Sequence, residues 1–289
     1  MQITCEHLNF DYGKKTKNKT RALSDVSLTV PEGSFFGIIG HTGSGKSTFI
    51  QHIDALIPVQ DGKLVVGDID LSMGKKTDKK KLKELRRKTG LVFQYPEYQL
   101  FAETVYQDVA FGLKNFKKEL SDEDVKNAVF GALTRVGLSP DIANKSPFEL
   151  SGGQKRRVAI AGVLVTEPEI LILDEPVAGL DPVGKRELME LLHALHGTSV
   201  KTIVIVSHDM DEVAENCTDI AVFSEGKVVI TGTPKEVFSN AEELERLRLD
   251  VPLTAKLLSK LKENGVEIDC DFTMNDFVSK VASYYKNNR

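Results

Sequence analysis

Short apolar runs and longer helical patterns alternate along most of the chain. Residues 3–10 mix apolar and polar positions before an expected turn at 11–13, and the apolar residues of 22–30 are spaced mostly by two, which predicts two strands. Three later runs are apolar at almost every position, as buried strands of a parallel sheet are: Phe35–Ile39, Ile170–Leu173 and Thr202–Val206. Two further short strands are predicted at 63–66 and 91–93.

Helical spacing fills the intervals between these strands, at 48–57, 121–136 and 182–194. The second helix begins at Ser121, which stands before acidic residues as a helix N-cap does, and is expected to stop at Gly137. The alternation of strand, helix and strand predicts an α/β fold, with a parallel core sheet covered by helices and an antiparallel β-subdomain at the N-terminus.

The pattern changes after about residue 240. Leu253, Leu257, Leu258 and Leu261 form one helical stripe, and a second N-cap at 273–276 precedes another stripe of Phe277, Val278, Val281 and Tyr285. We therefore divide the chain into a domain of residues 1–240 and a helical C-terminal extension of residues 241–289. The apolar faces of the extension pack either on its own domain or on a partner, and the sequence leaves both open.

Composition narrows the class of protein. The 289 residues include 38 Lys plus Arg and 42 Asp plus Glu, for a net charge of −4, with 41% hydrophobic and 28% charged residues. These fractions exclude a disordered or fibrous chain, and the mild acidity gives no attraction to nucleic acid. Three separated cysteines favour free thiols in a reducing compartment. The basic stretch 75–88 is interpreted as a solvated face, with anionic lipid or RNA as the alternative.

No apolar run approaches the length that spans a bilayer, and the first residues have neither the basic nor the apolar region of a signal peptide. We therefore expect the protein to stay in the cytosol. Docking on a membrane protein remains compatible with this location, because docking needs only a surface.

A glycine-rich loop follows the third strand. Residues 40–47 fit the pattern G-x-x-x-x-G-K-[ST] between a strand and a helix, the context that a phosphate-binding loop requires. Glycines let backbone N–H groups surround phosphate oxygens, and the helix N-terminus adds a partial positive charge. Lys46 is expected at the β- and γ-phosphates and the Ser47 hydroxyl at Mg²⁺. The nucleotide-binding residues predicted here are Gly40, His41, Thr42, Gly43, Ser44, Gly45, Lys46, Ser47 and Thr48.

This loop indicates a nucleoside triphosphate without identifying the class of enzyme. A guanine-specific GTPase would carry N-K-x-D after a strand, but Asn144-Lys145 is followed by Ser146-Pro147. The GTPase interpretation is therefore weak, and other motifs have to identify the class.

Two acids end the apolar run 170–173. The carboxyl end of a buried parallel strand opens at the ligand crevice of an α/β sheet. Asp174 at that end is expected to hold Mg²⁺, through water, and Glu175 to polarise the attacking water as general base. With a phosphate-binding loop upstream, this interpretation is favoured over a strand followed by a solvated acidic turn.

The segment Leu150-Ser151-Gly152-Gly153-Gln154 precedes this strand by about twenty residues. A serine and two glycines that open a helix make a second phosphate-binding N-terminus. In this order the motifs resemble the ATP-binding subunits of ABC transporters, over residues 1 to about 235. The resemblance implies a P-loop NTPase fold with a helical lobe at about 95–165, in which Ser151, Gly152, Gly153 and Gln154 complete the site of a partner subunit.

The same resemblance implies roles for residues that single motifs do not identify. Gln94 corresponds to the glutamine that contacts metal and water, and His208 to the switch histidine at the γ-phosphate. Leu180-Asp181 corresponds to the D-loop at the dimer contact. Tyr12 corresponds to the aromatic residue that stacks on adenine, although Phe10 is a nearby candidate. The implied catalytic set is Lys46, Gln94, Glu175 and His208, and the implied metal set is Ser47, Gln94 and Asp174.

Two segments point to one branch of the family. Phe93–Phe101 resembles the QYPExQLF pattern of the energy-coupling factor and cobalt-importer ATPases. Glu175–Pro182 resembles the second ATPase subunit of energy-coupling factor transporters, although Val177 is less usual than Ala or Thr there. The C-terminal extension also fits this branch, whose ATPases dimerise partly through such a segment. Residues 95–101 carry exposed-type apolar side chains, which favours a docking surface, with packing inside the helical lobe as the alternative.

The resemblance implies an ATPase that uses ATP and Mg²⁺ to drive micronutrient uptake from the cytoplasmic face of the membrane. Its implied partners are a homologous ATPase, in a heterodimer, a transmembrane coupling subunit and a substrate-binding membrane subunit, with no nucleic acid. Another ABC importer or exporter is the main alternative. Soluble ABC-type ATPases of DNA repair or translation would need a long coiled coil or a second such domain, and a non-hydrolysing module would have lost Glu175 or His208.

Overall fold

A computed structural model describes residues 1–14 and 19–287. The strands, in chain order, are β1 (Ile3–Tyr12), β2 (Thr20–Val30), β3 (Phe35–Ile39), β4 (Asp61–Val66), β5 (Ile69–Asp70), β6 (Thr89–Val92), β7 (Ile170–Asp174), β8 (Thr202–Val206), β9 (Asp219–Ser224) and β10 (Lys227–Gly232). The α-helices are α1 (Lys46–Ile53), α2 (Lys79–Lys88), α3 (Val105–Phe116), α4 (Asp122–Arg135), α5 (Gly152–Leu164), α6 (Pro182–Leu195), α7 (Met210–Asn216), α8 (Pro234–Phe238), α9 (Ala241–Arg246), α10 (Leu253–Glu263) and α11 (Met274–Asn287).

Two sheets organise the domain. One is antiparallel, in the order β2-β1-β4-β5, and the other has the order β10-β9-β3-β8-β7-β6. Neighbours from β9 to β6 in the second sheet run parallel, and β10 pairs antiparallel at its edge. The predicted α/β fold, with a parallel core sheet and an N-terminal antiparallel β-subdomain, is confirmed.

The apolar strands β3, β7 and β8 are buried on both faces because their alternate side chains enter two different cores. Leu171 and Leu173 of β7 pack with the helices on one side. Ile170 and Ile172 pack with α1 and the antiparallel sheet on the other side. Successive side chains of a strand point to opposite faces, so a strand between two apolar layers needs apolar residues at every position.

Several predicted boundaries need correction. β1 continues through Tyr12, which pairs with Thr20 of β2, so Asp11 and Tyr12 lie in a strand rather than in the predicted turn. Antiparallel pairing across the hairpin satisfies their backbone groups and extends the strand. The first helix begins directly after Gly45, as expected, but ends at Ile53 instead of residue 57, because Ala55 adopts a left-handed φ of 52°. The strands β4 and β6 each begin two residues before the predicted start.

Helices α3, α4 and α5 lie between β6 and β7, and the structure, which describes all of 93–169, has no strand there. The predicted cap of α4 is confirmed, since Asp124 N donates to Ser121 Oγ at 3.1 Å. The helix ends at Arg135, and Gly137 takes the left-handed φ of 72° that closes many helices.

The C-terminal extension forms the two predicted helices, and their apolar stripes are covered only in part. In α10, Leu257, Leu258 and Leu261 are half-buried and Leu253 is exposed, while Thr254 and Ala255 are buried. In α11, Val278 and Tyr285 of the predicted stripe are exposed. The backbone is instead anchored on α7, because Leu253 N donates to Asp211 Oδ1 at 2.7 Å and Met274 N donates to Glu215 Oε1.

The basic stretch forms the exposed helix α2, in which Leu85 is the buried residue, as expected for a solvated face. Among the described residues, the helices are all too short or too polar to span a membrane.

Candidate nucleotide-binding site

A cavity of about 530 Å³ lies where the carboxyl ends of β7 and β8 meet the N-terminus of α1 and the end of the β1–β2 hairpin at which Tyr12 pairs with Thr20. It brings together most of the predicted site residues, which come from five separate parts of the chain. Its lining comprises Tyr12, Thr20, Arg21, Ala22, Thr42, Gly43, Gly45, Lys46, Ser47, Thr48, Gln94, Asp174, Glu175 and His208. Ligand crevices of open α/β sheets occur at this edge.

The glycine-rich loop has its shape because two of its glycines accept no side chain. A Cβ on Gly40 would lie 2.3 Å from the carbonyl oxygen of Phe223, and a Cβ on Gly45 would lie 2.6 Å from that of Ala22. Both glycines have φ values of the left-handed half of the map, 151° and 106°. Gly40, His41 and Ser44 support the loop from behind and do not line the cavity.

Lys46 lies across this loop. Its Nζ donates to the carbonyl oxygens of Gly40 at 2.6 Å and His41 at 3.0 Å. Burial lowers the pKa of Lys46, while Glu175 and Asp174 nearby oppose the shift. Behind the loop, the Ser44 Oγ is buried and has no hydrogen-bond partner within the described part of the chain. A buried ammonium facing two carboxylates fits a site for a phosphate chain with a cation.

The two acids differ in their surroundings. Asp174 is buried at the end of β7, which raises its pKa, although a hydrogen bond from Ser47 and the charge of Lys46 oppose the rise. Glu175 has a left-handed φ of 50°, and its N–H donates to Val206 O at 2.9 Å. This conformation is uncommon for a residue with a side chain and turns the chain away from the sheet directly after the strand.

His208 contacts Glu175 rather than standing alone. Its Nδ1 lies 2.7 Å from Glu175 Oε2, although 33 residues separate the two in sequence. An ionised carboxylate can only accept, so the ring donates from Nδ1 in that state. The ring stays largely exposed, whereas the Glu175 side chain is mostly covered.

The two aromatic candidates for the base have opposite exposures. Tyr12 lines the cavity, is 43% exposed, and its hydroxyl lies 3.2 Å from Thr48 Oγ1. Phe10 is only 6% exposed and packs edge-on against Tyr12 and His52. Tyr12 therefore presents a ring to the cavity, and Phe10 supports it from the core.

The serine–glycine segment lies on a different surface. Ser151, Gly152, Gly153 and Gln154 are exposed and do not line the cavity. Gln154 N donates to Ser151 Oγ at 3.3 Å and Ser151 N donates to Gln154 Oε1 at 3.1 Å, which is a complete capping box at the start of α5. A Cβ on Gly152 or Gly153 would meet nothing within 4 Å.

Sequence reasoning missed three residues of the cavity wall, which are Thr20, Arg21 and Ala22 at the start of β2. The signal that could have found them is the hairpin itself, because Tyr12 pairs with Thr20 across it. The guanidinium of Arg21 turns back to Asp11, with Nε 2.5 Å from Oδ1, and this ion pair ties the two strands together behind Tyr12. Register determines this part of the site, and register depends on the folded sheet.

Comparison with known proteins agrees with this geometry. The family model described as ABC transporter matches residues 23–178. The chain is 46% identical, over all of its length and 99% of the relative, to the energy-coupling factor transporter ATP-binding protein EcfA2 of Caldanaerobacter subterraneus subsp. tengcongensis.

Solved structures agree as well. The cbiO1 protein of Clostridium perfringens, described as part of the ABC transporter complex cbiONQ, is similar with a TM-score of 0.73 and 38% identity over 89% of this chain and 98% of that one. The ATP-binding cassette MJ0796, solved as a dimer in a post-hydrolysis state bound to ADP and Pi, has a TM-score of 0.70 and 30% identity over 80% of this chain and 98% of that one.

The cavity, the strand that ends in Asp174 and Glu175, and the exposed serine–glycine cap thus occur in a chain that matches these relatives over nearly its full length. The protein is an ABC ATPase and belongs to the family of energy-coupling factor transporter ATP-binding proteins.

Proposed function

We propose that this chain binds ATP in the cavity at α1 and hydrolyses it to drive micronutrient uptake through a membrane subunit of an energy-coupling factor importer. The observation that carries the proposal is the convergence of Lys46, Gln94, Glu175 and His208 on one cavity. Phosphoryl transfer needs positioning and charge stabilisation more than covalent chemistry, and these residues supply both.

In this proposal Glu175 accepts a proton from the attacking water. With both ring nitrogens protonated, His208 donates from Nδ1 to the Glu175 carboxylate, 2.7 Å away, and has the Nε2–H free to donate to a γ-phosphate oxygen. Lys46 exchanges its two loop carbonyls for phosphate oxygens, which accept stronger hydrogen bonds from an ammonium because they carry charge. Tyr12 stacks on the adenine at the opposite end of the cavity.

The donor set also fits Mg²⁺. Ser47, Gln94 and Asp174 line the cavity and offer a hydroxyl, an amide and a carboxylate oxygen, which are the hard ligands that this ion prefers. Asp174 is a buried carboxylate with a raised pKa, and a divalent cation beside it would favour its ionised form. When bound, the ion would neutralise charge on the phosphates, and Ser47 and Asp174 would hold it from the loop and the strand.

A partner subunit is part of the proposal because one chain carries the two phosphate-binding surfaces on different faces. The exposed Ser151–Gln154 cap has open space around its glycines, which suits contact with a triphosphate held by another subunit. We propose a homologous ATPase as this partner, in a heterodimer with two ATP molecules at its interface. Residues 1–240, with the helical lobe at about 95–165, form the nucleotide-binding domain.

The extension 241–289 is proposed as a second dimer contact. Its last helix exposes Met274, Val278 and Tyr285 on one side, spaced as neighbours on a helix surface are. Such a face contributes to stability only when something covers it. This favours the partner over the domain itself as its binding surface.

The helical lobe carries the proposed membrane-protein contact. Tyr98 is 84% exposed and Phe101 is 64% exposed, and the ring of Phe101 packs edge-on with the exposed Phe111 of α3 at 5.1 Å. Exposed aromatic side chains grouped on one face favour a docking surface. Because this surface begins directly after Gln94, a docked transmembrane subunit would sense the occupied cavity. The chain would then work as a peripheral protein at the cytoplasmic face of the membrane, beside a separate substrate-binding membrane subunit.

Co-purification from detergent-solubilised membranes tests the assembly. We expect the tagged full-length chain to bring down a homologous ATPase and a multi-span membrane protein, and the eluted complex to hydrolyse ATP. A variant with Tyr98→Ser and Phe101→Ser should retain the ATPase partner and lose the membrane protein. Recovery of a strictly monomeric chain that hydrolyses ATP at the full rate would contradict the proposal.

A further inference from the structure

Outside the cavity, one buried side chain joins three segments that the proposed mechanism uses separately. Arg156 is the fifth residue of α5, the helix that begins after Ser151, and it is only 4% exposed. A buried guanidinium requires acceptors for its N–H groups, since an unpaired charge inside a protein is strongly destabilising. The acceptors of Arg156 come from the two segments that flank Glu175 and Gln94.

The first acceptor is Glu97, which lies three residues after Gln94 in a single 3₁₀ turn, Pro96–Gln99. Nη2 of Arg156 donates to Glu97 Oε1 at 3.2 Å, and Nε donates to Oε2 at 3.3 Å. Two parallel N–H···O bonds between a guanidinium and a carboxylate fix both distance and orientation. The turn that carries the exposed aromatic surface is therefore attached rigidly to α5.

The other acceptors are two backbone carbonyls of the turn that follows Glu175. Nη1 of Arg156 donates to Pro176 O at 2.8 Å, and Nη2 donates to Ala178 O at 3.0 Å. This turn closes on Glu175 itself, because Ala178 N donates to Glu175 O at 3.1 Å. The left-handed φ of Glu175 persists only if the surrounding contacts hold it. Arg156 supplies two of these contacts.

A second contact joins the same segments. Tyr95, which also has a left-handed φ of 54°, lies beside Gly179, where a Cβ would stand 3.6 Å from the tyrosine ring. The segment after Gln94 and the turn after Glu175 thus touch each other directly as well as through Arg156. Packed elements of this kind move together rather than independently.

We propose that Arg156 is a positioning residue for Glu175, with Glu97 as its counter-ion. The guanidinium holds the turn 175–178 in the conformation that directs the Glu175 carboxylate to the cavity, and it ties this turn to α5 and to the 96–99 turn. A displacement of the aromatic surface after Gln94 thereby reaches Glu175 through protein contacts as well as through the nucleotide. The inference rests on Glu175 being the base, which is part of the proposed function.

The test uses Arg156→Lys in the complete assembly. Lysine keeps the positive charge beside Glu97, but one ammonium cannot also hold the carbonyls of Pro176 and Ala178 in the fork geometry. We expect kcat for ATP hydrolysis to fall about tenfold or more, as misplacement of a catalytic group predicts. The Kd for a fluorescent ATP analogue should stay within about threefold, because Arg156 does not line the cavity.

Arg157→Lys is the matched control. Arg157 also leaves α5 to bond one carbonyl and one carboxylate, Val136 O at 2.9 Å and Glu187 Oε2 at 3.0 Å, neither of which belongs to the three segments. Its substitution should leave kcat within about twofold. An equal fall of kcat in both variants would assign the effect to general anchoring of α5 and overturn the inference.

Glu97→Gln keeps the shape of the second partner and covers the case in which Arg156→Lys fails to fold. This variant should lower kcat by less than Arg156→Lys, and the double variant should be no worse than Arg156→Lys alone, because both act through one guanidinium. A fall in analogue affinity that matches the fall in kcat would also overturn the inference, since it indicates loss of the whole site.

Glu175→Gln, measured alongside, distinguishes the role of Glu175 as base from the positioning role of Arg156. If Glu175→Gln retains near-normal turnover, the base assignment fails and the proposed function with it. If Glu175→Gln is inactive while Arg156→Lys turns over like the wild type, the positioning role alone is refuted.

Discussion

The two glycine-rich helix N-termini that we propose as phosphate-binding surfaces begin in different ways. The helix α1 begins at Gly45 with no side-chain cap, inside a cavity that also holds Lys46 and Glu175. The helix α5 begins at Ser151 with a complete capping box, on an open surface. Uncapped N–H groups within a charged cavity suit a ligand that the chain binds by itself. A capped and exposed terminus is stable in water without a ligand, which agrees with the proposal that a partner subunit supplies the triphosphate.

The comparison explains where the glycines are needed. At Gly40 and Gly45 the neighbouring backbone leaves no space for a Cβ, so these glycines serve the fold of the chain itself. At Gly152 and Gly153 the chain leaves the space open, as the proposed approach of a partner's triphosphate would require. Substitutions in the two places should therefore affect different measurements.

The largest effect is expected for Glu175→Gln, which removes the proposed base from the cavity at α1. Turnover should fall on the order of 10²-fold or more, while the ATP analogue still binds, because the amide keeps the hydrogen bond to His208 and cannot accept a proton. Steady-state phosphate release of the assembly measures it. Glu167→Gln is the control, since Glu167 has the same left-handed backbone, with φ of 58°, outside the cavity. Near-normal turnover in Glu175→Gln would refute the base assignment.

Gly153→Asp tests the exposed N-terminus of α5, which we propose to bind a triphosphate held by a partner subunit. A Cβ at this position would have no neighbour within 4 Å beyond the adjoining helix backbone, so a side chain there can extend into solvent, and thermal stability and analogue binding of the isolated chain should be unchanged. In the assembly the like charge would face a triphosphate, and turnover should fall at least about tenfold. Gly131→Asp in α4, where the nearest atom to a Cβ is Arg135 Nη2 at 3.9 Å, is the control. If analogue binding by the isolated chain fell as much as turnover of the assembly, the serine–glycine segment 151–154 would belong to the chain's own nucleotide site.

Lys46→Ala should act on binding rather than on assembly. Hydrogen bonds to charged groups contribute about 1.5–3 kcal/mol each, so the affinity for ATP should fall by roughly tenfold or more. Equilibrium binding of the analogue to the isolated chain is the measurement, and Lys185→Ala, which removes a lysine paired with Asp209 outside the cavity lining, is the control. Unchanged affinity would count against the role of the loop as the phosphate site.

Tyr12→Leu tests whether Tyr12 stacks on the adenine of ATP in the cavity at α1. Base–aromatic stacking is worth about 1–3 kcal/mol, so the Kd for ATP should rise by roughly fivefold or more while kcat at saturation is preserved. Phe10→Leu keeps a buried apolar side chain behind Tyr12 and should change the Kd less. A larger effect at Phe10, in a variant of normal thermal stability, would reverse the assignment of the stacking residue.

The smallest effect concerns pH. Burial raises the pKa of Glu212, four residues after His208, to about 7. The charges of Asp209 and Glu175 add to the rise, while a hydrogen bond from Ser207 and the charge of Lys185 oppose it. A carboxyl whose folded pKa is raised binds its proton more tightly when folded. The loss of folding stability caused by ionising Glu212 is therefore absent below pH 4.5 and grows as the pH rises towards 7.

The stability of Glu212→Gln relative to the wild type should thus rise between pH 5 and pH 8, by on the order of 2 kcal/mol. Chemical denaturation at the two pH values measures the difference. The same substitution at the exposed Glu243 is the control. If the difference in free energy of unfolding between Glu212→Gln and the wild type does not change with pH, ionisation of this buried carboxyl does not destabilise the folded protein.

Contiguous motifs determined much of this site from sequence alone. The glycine pattern of residues 40–47 and the apolar run that ends in Asp174 and Glu175 identify the phosphate and acid positions, because local backbone geometry and strand burial act over a few neighbouring residues. The parallel core sheet followed from the same runs. The ends of elements were predicted less well, as α1 and β1 demonstrate, since a left-handed residue and a hairpin pairing decided them.

Only the tertiary structure decided which distant side chains meet. The order of β7 and β8 in the sheet brings His208 to Glu175, and the docking of α5 carries Arg156 to Glu97, 59 residues away. The folded sheet also leaves Tyr12 exposed at the end of β1 while it buries Phe10. The apolar stripes of the extension predicted its two helices, but whether those stripes cover the domain or a partner was not determined by the sequence pattern. These outcomes depend on strand order and helix packing, which arise from the sum of many long-range contacts and leave no mark in the spacing of neighbouring residues.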